Sequence, residues 1–207
     1  MIFVCVLLSL VLVACGSKNI YNAGRESGGE TSEAENQASQ NQNETSGGKV
    51  LIAYFSATGN TKAAAEYIAA VTGGDLFALV PVEPYSEDDL DWTDENSRVV
   101  YEHNHPDERT VSLVTAAVDH FDEYDTVFIG YPIWWGIAAW PVNEFISANN
   151  FTGKKIIPFC TSASSGLGES GTLLKEAAQT GDWLEGKRFS SGVSETEIKE
   201  WLESLSY

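Results

Sequence analysis

The sequence is poor in positive charge: across 207 residues, 12 Lys+Arg stand against 30 Asp+Glu, a formal net charge of −18. Sequence-independent binding to DNA or RNA draws most of its affinity from Lys and Arg on phosphates, so that class is excluded, as is adsorption to anionic lipid. Cysteine is also scarce. Its three residues include no Cys-x-x-Cys pair and no Cys/His zinc spacing, which rules out a disulfide framework or a structural zinc site. Signatures of hydrolytic chemistry are missing, with neither a Gly-x-Ser-x-Gly elbow nor a His-Glu-x-x-His helix. Long apolar runs are missing too. Residues 1–14, whose one polar member is Ser9, would form a helix of roughly 21 Å against a hydrocarbon core of about 30 Å. What is present suffices for a packed core: 43% hydrophobic and 11% aromatic residues.

Composition changes twice along the chain. The apolar run 1–14 reads as the h-region of an export signal rather than a membrane span. It ends in Leu12-Val13-Ala14-Cys15, which resembles the lipobox of bacterial lipoproteins. That resemblance implies cleavage before Cys15 and its lipidation. Residues 16–48 are rich in Gly, Ser, Glu, Asn and Gln and cannot bury enough surface to offset ordering entropy, so a flexible tether is expected. Residues 49–207 form the expected folded domain, with 10 Lys+Arg against 25 Asp+Glu.

Within that domain, apolar runs at 50–55, 76–80, 126–130 and 155–160 read as buried strands, with a weaker fifth at 183–189. Helices are expected at 61–72, 110–121, 141–148, 170–179 and 195–205, and an irregular acidic loop with some helix at 83–106. Strands apolar on both faces and alternating with helices imply an α/β fold: a doubly wound, five-stranded parallel sheet. Ligands then bind beyond the carboxyl ends of the strands.

Three loops lie there. The first, Ser56-Ala57-Thr58-Gly59-Asn60-Thr61, offers hydroxyls, an amide and helix-N-terminal N–H groups as an anion cradle. A Walker loop would need Gly where Tyr54 stands, so a single terminal phosphate suits it better than a triphosphate. The alternative is an ordinary Ser/Thr-capped turn. The second, Gly130-Tyr131-Pro132-Ile133-Trp134-Trp135-Gly136, is apolar and aromatic where a loop should be polar, and a planar ring is the obvious partner. Its aromatics could instead fold back on the following helix, the preferred reading for Trp140. The third, Thr161-Ser162-Ala163-Ser164-Ser165-Gly166, could line the polar edge of a heterocycle or be simply solvated.

Together these loops resemble flavodoxin and its relatives, in the branch carrying Gly-Tyr-Pro-Ile-Trp-Trp-Gly. The resemblance implies strand order 2-1-3-4-5 and flavin mononucleotide (FMN) as cofactor. It implies that Ser56, Ala57, Thr58, Gly59, Asn60 and Thr61 hold the phosphate. Tyr131, Pro132, Ile133, Trp134, Trp135 and Gly136 would set an aromatic against the ring. Thr161, Ser162, Ala163 and Gly166 would meet the ring edge. No aromatic stands in the third loop to cover the second ring face, so that face is expected to be open or covered by the acidic loop with Tyr85 and Trp92.

Lesser signals are discounted. Gly166-Leu167-Gly168-Glu169-Ser170-Gly171 fits a dinucleotide pattern but starts six residues after Cys160 instead of directly after a strand. His103 and His105, beside Pro106 in an acidic loop, read as solvent-exposed rather than metal-binding, and Cys160 reads as a packed small residue. The leading expectation is an FMN-binding electron carrier, anchored by Cys15 at the extracytoplasmic face of the cell membrane. It would meet redox partner proteins through complementary basic surface. A nicotinamide- or quinone-dependent flavin reductase and a non-redox lipoprotein module without cofactor are the alternatives.

Overall fold

A computed structural model describes residues 48–205. The expected signal at 1–15 with Cys15, and all of the tether at 16–48 except its last residue, lie outside the described residues.

Among the described residues, seven strands run in chain order as β1 (Lys49–Tyr54), β2 (Asp75–Ala78), β3 (Tyr124–Trp134), β4 (Ile137–Ala138), β5 (Lys155–Thr161), β6 (Asp182–Trp183) and β7 (Lys187–Phe189). The helices are α1 (Asn60–Thr72), α2 (Arg98–Asn104), α3 (Val142–Ala148), α4 (Ser170–Ala178) and α5 (Glu195–Ser204). The sheet order is β2-β1-β3-β5-β6, with β7 continuing the β6 edge beside β5 and every pairing on this path parallel. With β6 and β7 counted as one interrupted fifth strand, this is the doubly wound order 2-1-3-4-5.

Strand alternation decides which helices cover which face. Leu51, Ala53 and Phe55 point into one core with Val127, Ile129 and the α3 residues Val142, Phe145 and Ile146. Ile52 and Tyr54 point into the other, with Phe128, Phe159, the α1 residues Ala64, Ala65 and Ile68, and the α5 residues Ile198, Trp201 and Leu202. Burial on both faces explains the near-continuous apolar runs.

Three expectations need correction. The fifth strand is two short pieces. Ile156 accepts from Leu184 N–H, so Pro158, two residues on, faces the same edge without an N–H to donate. Gly186 then passes so close to Pro158 that a Cβ there would lie 2.5 Å from its carbonyl oxygen. The helix expected at 110–121 does not form. Leu113 pairs in an antiparallel bridge with Pro81, Leu113 N–H donates to the Glu144 carboxylate, and Asn149 ties Ala116 and Val118 to the end of α3. Tertiary partners thus hold extended a stretch whose β-branched residues favour it anyway. Finally, β3 extends to Trp134 and turns back into β4, so the expected second loop is a β-hairpin.

Candidate functional site

The first loop leaves β1 and enters α1 through Gly59, whose φ of 91° requires glycine. The Ser56 hydroxyl accepts from the N–H groups of Gly59 and Lys62, each at 3.1 Å, which fixes the loop as a helix cap. The Asn60 amide donates to the Thr58 hydroxyl at 3.1 Å. The amides of the first helical turn have no carbonyl four residues back, so those of Asn60 and Thr61 lie beyond the helix ladder. Thr61 itself turns inward: its buried hydroxyl bonds that of Thr161 at 2.8 Å, tying the first loop to the third.

In the hairpin, Ile133 pairs with Ala138 and Trp134 with Ile137, leaving Trp135 and Gly136 as a two-residue turn. Both have positive φ, 47° and 80°, which a right-handed hairpin twist favours but a tryptophan resists. Trp135 is nonetheless held, stacked on His103 at 4.3 Å and 8°. His103 is therefore half-buried against an indole, contrary to the solvent exposure expected of it. Trp134 packs edge-on against Phe55, Tyr85 and Trp140, and Trp140 is buried, but in a cluster with Val99 and Val111 rather than on the following helix. Tyr131 does not join the site surface. It is fully buried, its hydroxyl bonds Ser170 at 3.0 Å, and desolvation pushes its pKa up.

The third loop follows β5. Arg188, opposite Cys160 on β7, donates to the Ser162 hydroxyl and carbonyl and to the Ala163 carbonyl. Burial pushes the neighbouring Cys160 thiol up to about 12, against a smaller opposing pull from Arg188, as suits a packed small residue. The glycine pattern after this loop has a packing reason. Gly168 sits under the hairpin tip, where a Cβ would lie 2.0 Å from the Gly136 carbonyl oxygen.

These loops enclose a cavity of about 480 Å³ lined by Ala57, Thr58, Pro132, Ile133, Trp134, Trp135 and Ser162 to Ser165. Its remaining wall comes from the acidic segment: Leu90, Trp92 and Val99. Trp92, 73% exposed, stands at this cavity as expected; Tyr85 stands behind it, against Trp134. Ser56, Gly59, Asn60, Thr61, Tyr131, Gly136, Thr161 and Gly166 do not line it. A second cavity of about 330 Å³ lies on the other side of the first loop, lined by Tyr54, Ser56, Gly59 and Lys62 among others.

The acidic segment is anchored by a residue the sequence did not single out. The buried Glu102 carboxylate accepts from Arg98 Nε, the Tyr85 hydroxyl and Trp140 Nε1, each at 2.7 Å. Arg98 also lies 4.0 Å over the Tyr85 ring, and Arg109 5.0 Å over Trp140. A signal was available: residues 49–207 contain only three arginines, and all three serve the walls of this site. Among the described residues, no cluster of His, Cys, Asp or Glu could hold a metal ion.

Comparison with known proteins fits this geometry. A candidate flavoprotein from Bacteroides eggerthii shares 42% identity at a TM-score of 0.68, with 75% of this chain and 96% of that one covered. A similar protein from Bacteroides uniformis shares 37% identity at 0.70, with 76% and 99% covered. A flavoprotein from Lactobacillus acidophilus, solved in complex with FMN, has the same fold at 21% identity and a TM-score of 0.54, covering 75% and 99%. No curated protein matches the chain. The Flavodoxin family matches residues 49–205, and the chain belongs to that family.

Proposed function

We propose that this chain binds FMN in the cavity of about 480 Å³ and acts as an electron carrier. The observation that carries the reading is the convergence of four chemically distinct walls on one cavity: a helix-capping hydroxyl loop, the Trp134–Trp135 hairpin, a run of small hydroxyl residues, and an apolar cover from Leu90, Trp92 and Val99. Its volume lies in the range of cofactor sites. The donor set suits the ligand. The Thr58 hydroxyl in the cavity wall and the first-turn amides of α1, which lie next in the chain and outside that lining, would receive the phosphate without an arginine. Trp135 would face the ring and Trp92 would shield it from water. Ser162 and Ala163 would meet its polar edge.

Bound flavin supplies one- and two-electron redox chemistry; the protein orients it and sets its potential. Aromatic walls and an acidic domain both disfavour added negative charge, so a low reduction potential is expected. Partners would dock through basic surface against the acidic segment, at salt-sensitive rates. We also infer attachment to the extracytoplasmic membrane face through a lipid on Cys15. The tether of about 33 residues would give a reach of roughly 30 Å at 5–6 Å × √n. Metabolic labelling with a fatty-acid analogue tests this: label on the wild type and none on Cys15→Ala is expected, and equal label on both would refute it.

The flavin reading is tested by titrating purified protein into FMN. Quenched flavin fluorescence at one flavin per chain, with weaker binding of riboflavin, is expected. Unchanged fluorescence at micromolar protein would refute it.

A further inference from the structure

The third loop has no regular structure of its own, and its shape depends on one cation. Arg188 Nε donates to the Ser162 hydroxyl at 3.1 Å, and Nη2 donates to the carbonyls of Ser162 and Ala163 at 2.8 and 2.9 Å. The Ser162 hydroxyl in turn donates a hydrogen bond to the Ser165 carbonyl. One guanidinium thereby orders the run from Ser162 to Ser165, every residue of which lines the cavity. A planar fork with fixed donors can do this; an ammonium cannot reproduce it.

Arg188 is half-buried, and among the described residues no carboxylate lies within ion-pair distance of it. Carbonyl and hydroxyl oxygens solvate it while leaving its charge uncancelled. In a domain so short of cations, that charge stands directly behind the loop facing the cavity. Lys62, at the first loop, is by contrast near Glu66 at 3.7 Å.

We propose that Arg188 is a positioning and potential-setting residue of the cavity: it shapes the third loop through its fork and stabilises added negative charge on the bound ring through its full charge. This rests on the FMN reading. Reduction adds electron density to the ring, and an uncancelled cation held nearby in a partly buried setting favours the reduced form.

The test compares Arg188→Gln and Arg188→Lys with wild type in FMN affinity, midpoint potential, and hydrogen exchange of the 162–165 amides in the protein without flavin. In Arg188→Gln those amides exchange faster. FMN affinity falls by about tenfold or more, since binding must then order the loop. The potential drops as well. In Arg188→Lys the potential returns close to wild type while the loop stays labile and affinity recovers only in part. A purely structural role would leave Lys and Gln with the same potential, which would overturn the electrostatic half. Unchanged 162–165 exchange in Arg188→Gln would overturn the positioning half. If wild type bound no flavin, the FMN reading and with it the potential-setting role would fail, while the exchange measurement would still decide the positioning role. Should Arg188→Gln not fold, Arg188→Lys alone decides positioning, because loss of the fork predicts faster exchange.

Discussion

On one side of the cavity, Ala57, Thr58, Pro132 and Ile133 stand at or just beyond the ends of strands fixed by ladder hydrogen bonds across the sheet. On the other side, Leu90, Trp92 and Val99 belong to the acidic segment, which reaches the domain through Tyr85, Glu102, Trp140 and the arginines around them. The first wall rests on many individually weak backbone bonds. The second depends heavily on one buried carboxylate with three donors. Losing any single bond should barely move the first wall, whereas losing Glu102 should release the second.

That contrast can be broken from either side. Glu102→Ala strips three donors of their acceptor and leaves Arg98 half-buried without its partner. Breaking a buried pair costs about 3–5 kcal/mol, so chemical denaturation should show a loss of that order, with new protease cleavage confined to residues 83–109. Cleavage spread over the whole domain would contradict a separately anchored wall. Trp140→Phe keeps most of the ring but removes Nε1–H, and a hydrogen bond to a charged group is worth about 1.5–3 kcal/mol. The same cleavage pattern should appear more weakly.

On the strand-end side, Thr61→Val and Thr161→Val each leave a buried hydroxyl without its partner, at about 1–2 kcal/mol by denaturation. The double variant, with both hydroxyls replaced by methyls of similar shape, should come back close to wild type. Additive losses would mean that the pair at 2.8 Å is not coupled. Trp135→Asn places a residue suited to positive φ in the hairpin turn and should stabilise the flavin-free protein by several tenths to about 1 kcal/mol, offset in part by the lost His103 stack. It should weaken FMN binding at the same time, marking the strained backbone as a feature kept for the ligand. Equal FMN binding would remove Trp135 from the site.

The smallest effect concerns pH. The Ser86 N–H and hydroxyl hold the Asp89 carboxyl below the usual range, and Thr93 does the same for Asp91. A depressed carboxyl contributes stability that is present above its unfolded pKa and lost as pH falls through its folded one. Acidification through and below the ordinary carboxylate range should therefore loosen the turn carrying Leu90 before it affects β1 or β3. Asp91 is exposed and Asp89 only partly buried, so the effect is slight and screened by salt. Amide exchange at residues 86–93 against pH checks it.

The two walls also differ in how far the sequence revealed them. The strand-end wall was legible because burial on both faces leaves continuous apolar runs, and because Gly59 and the hydroxyls around it mark a turn into a helix. The order of the sheet followed from the family resemblance. The hairpin was hidden: Tyr131 to Trp134 continue an already apolar strand, and Trp135 occupies a turn position that tryptophan normally avoids, so no local signal marked the reversal. The helix expected at 110–121 failed because Glu144 and Asn149, some thirty residues away in sequence, supply its backbone partners. Glu102 was illegible because one carboxylate in an acidic run looks like its neighbours, and only folding shows which one turns inward.

A crystal structure of the protein grown with FMN shows where the ring sits. The expected result is an isoalloxazine between Trp135 and Trp92, with its edge at Ser162 and Ala163 and its phosphate at the start of α1. A ring in the second cavity, against Tyr54 and Lys62, or no bound flavin at all, would contradict it.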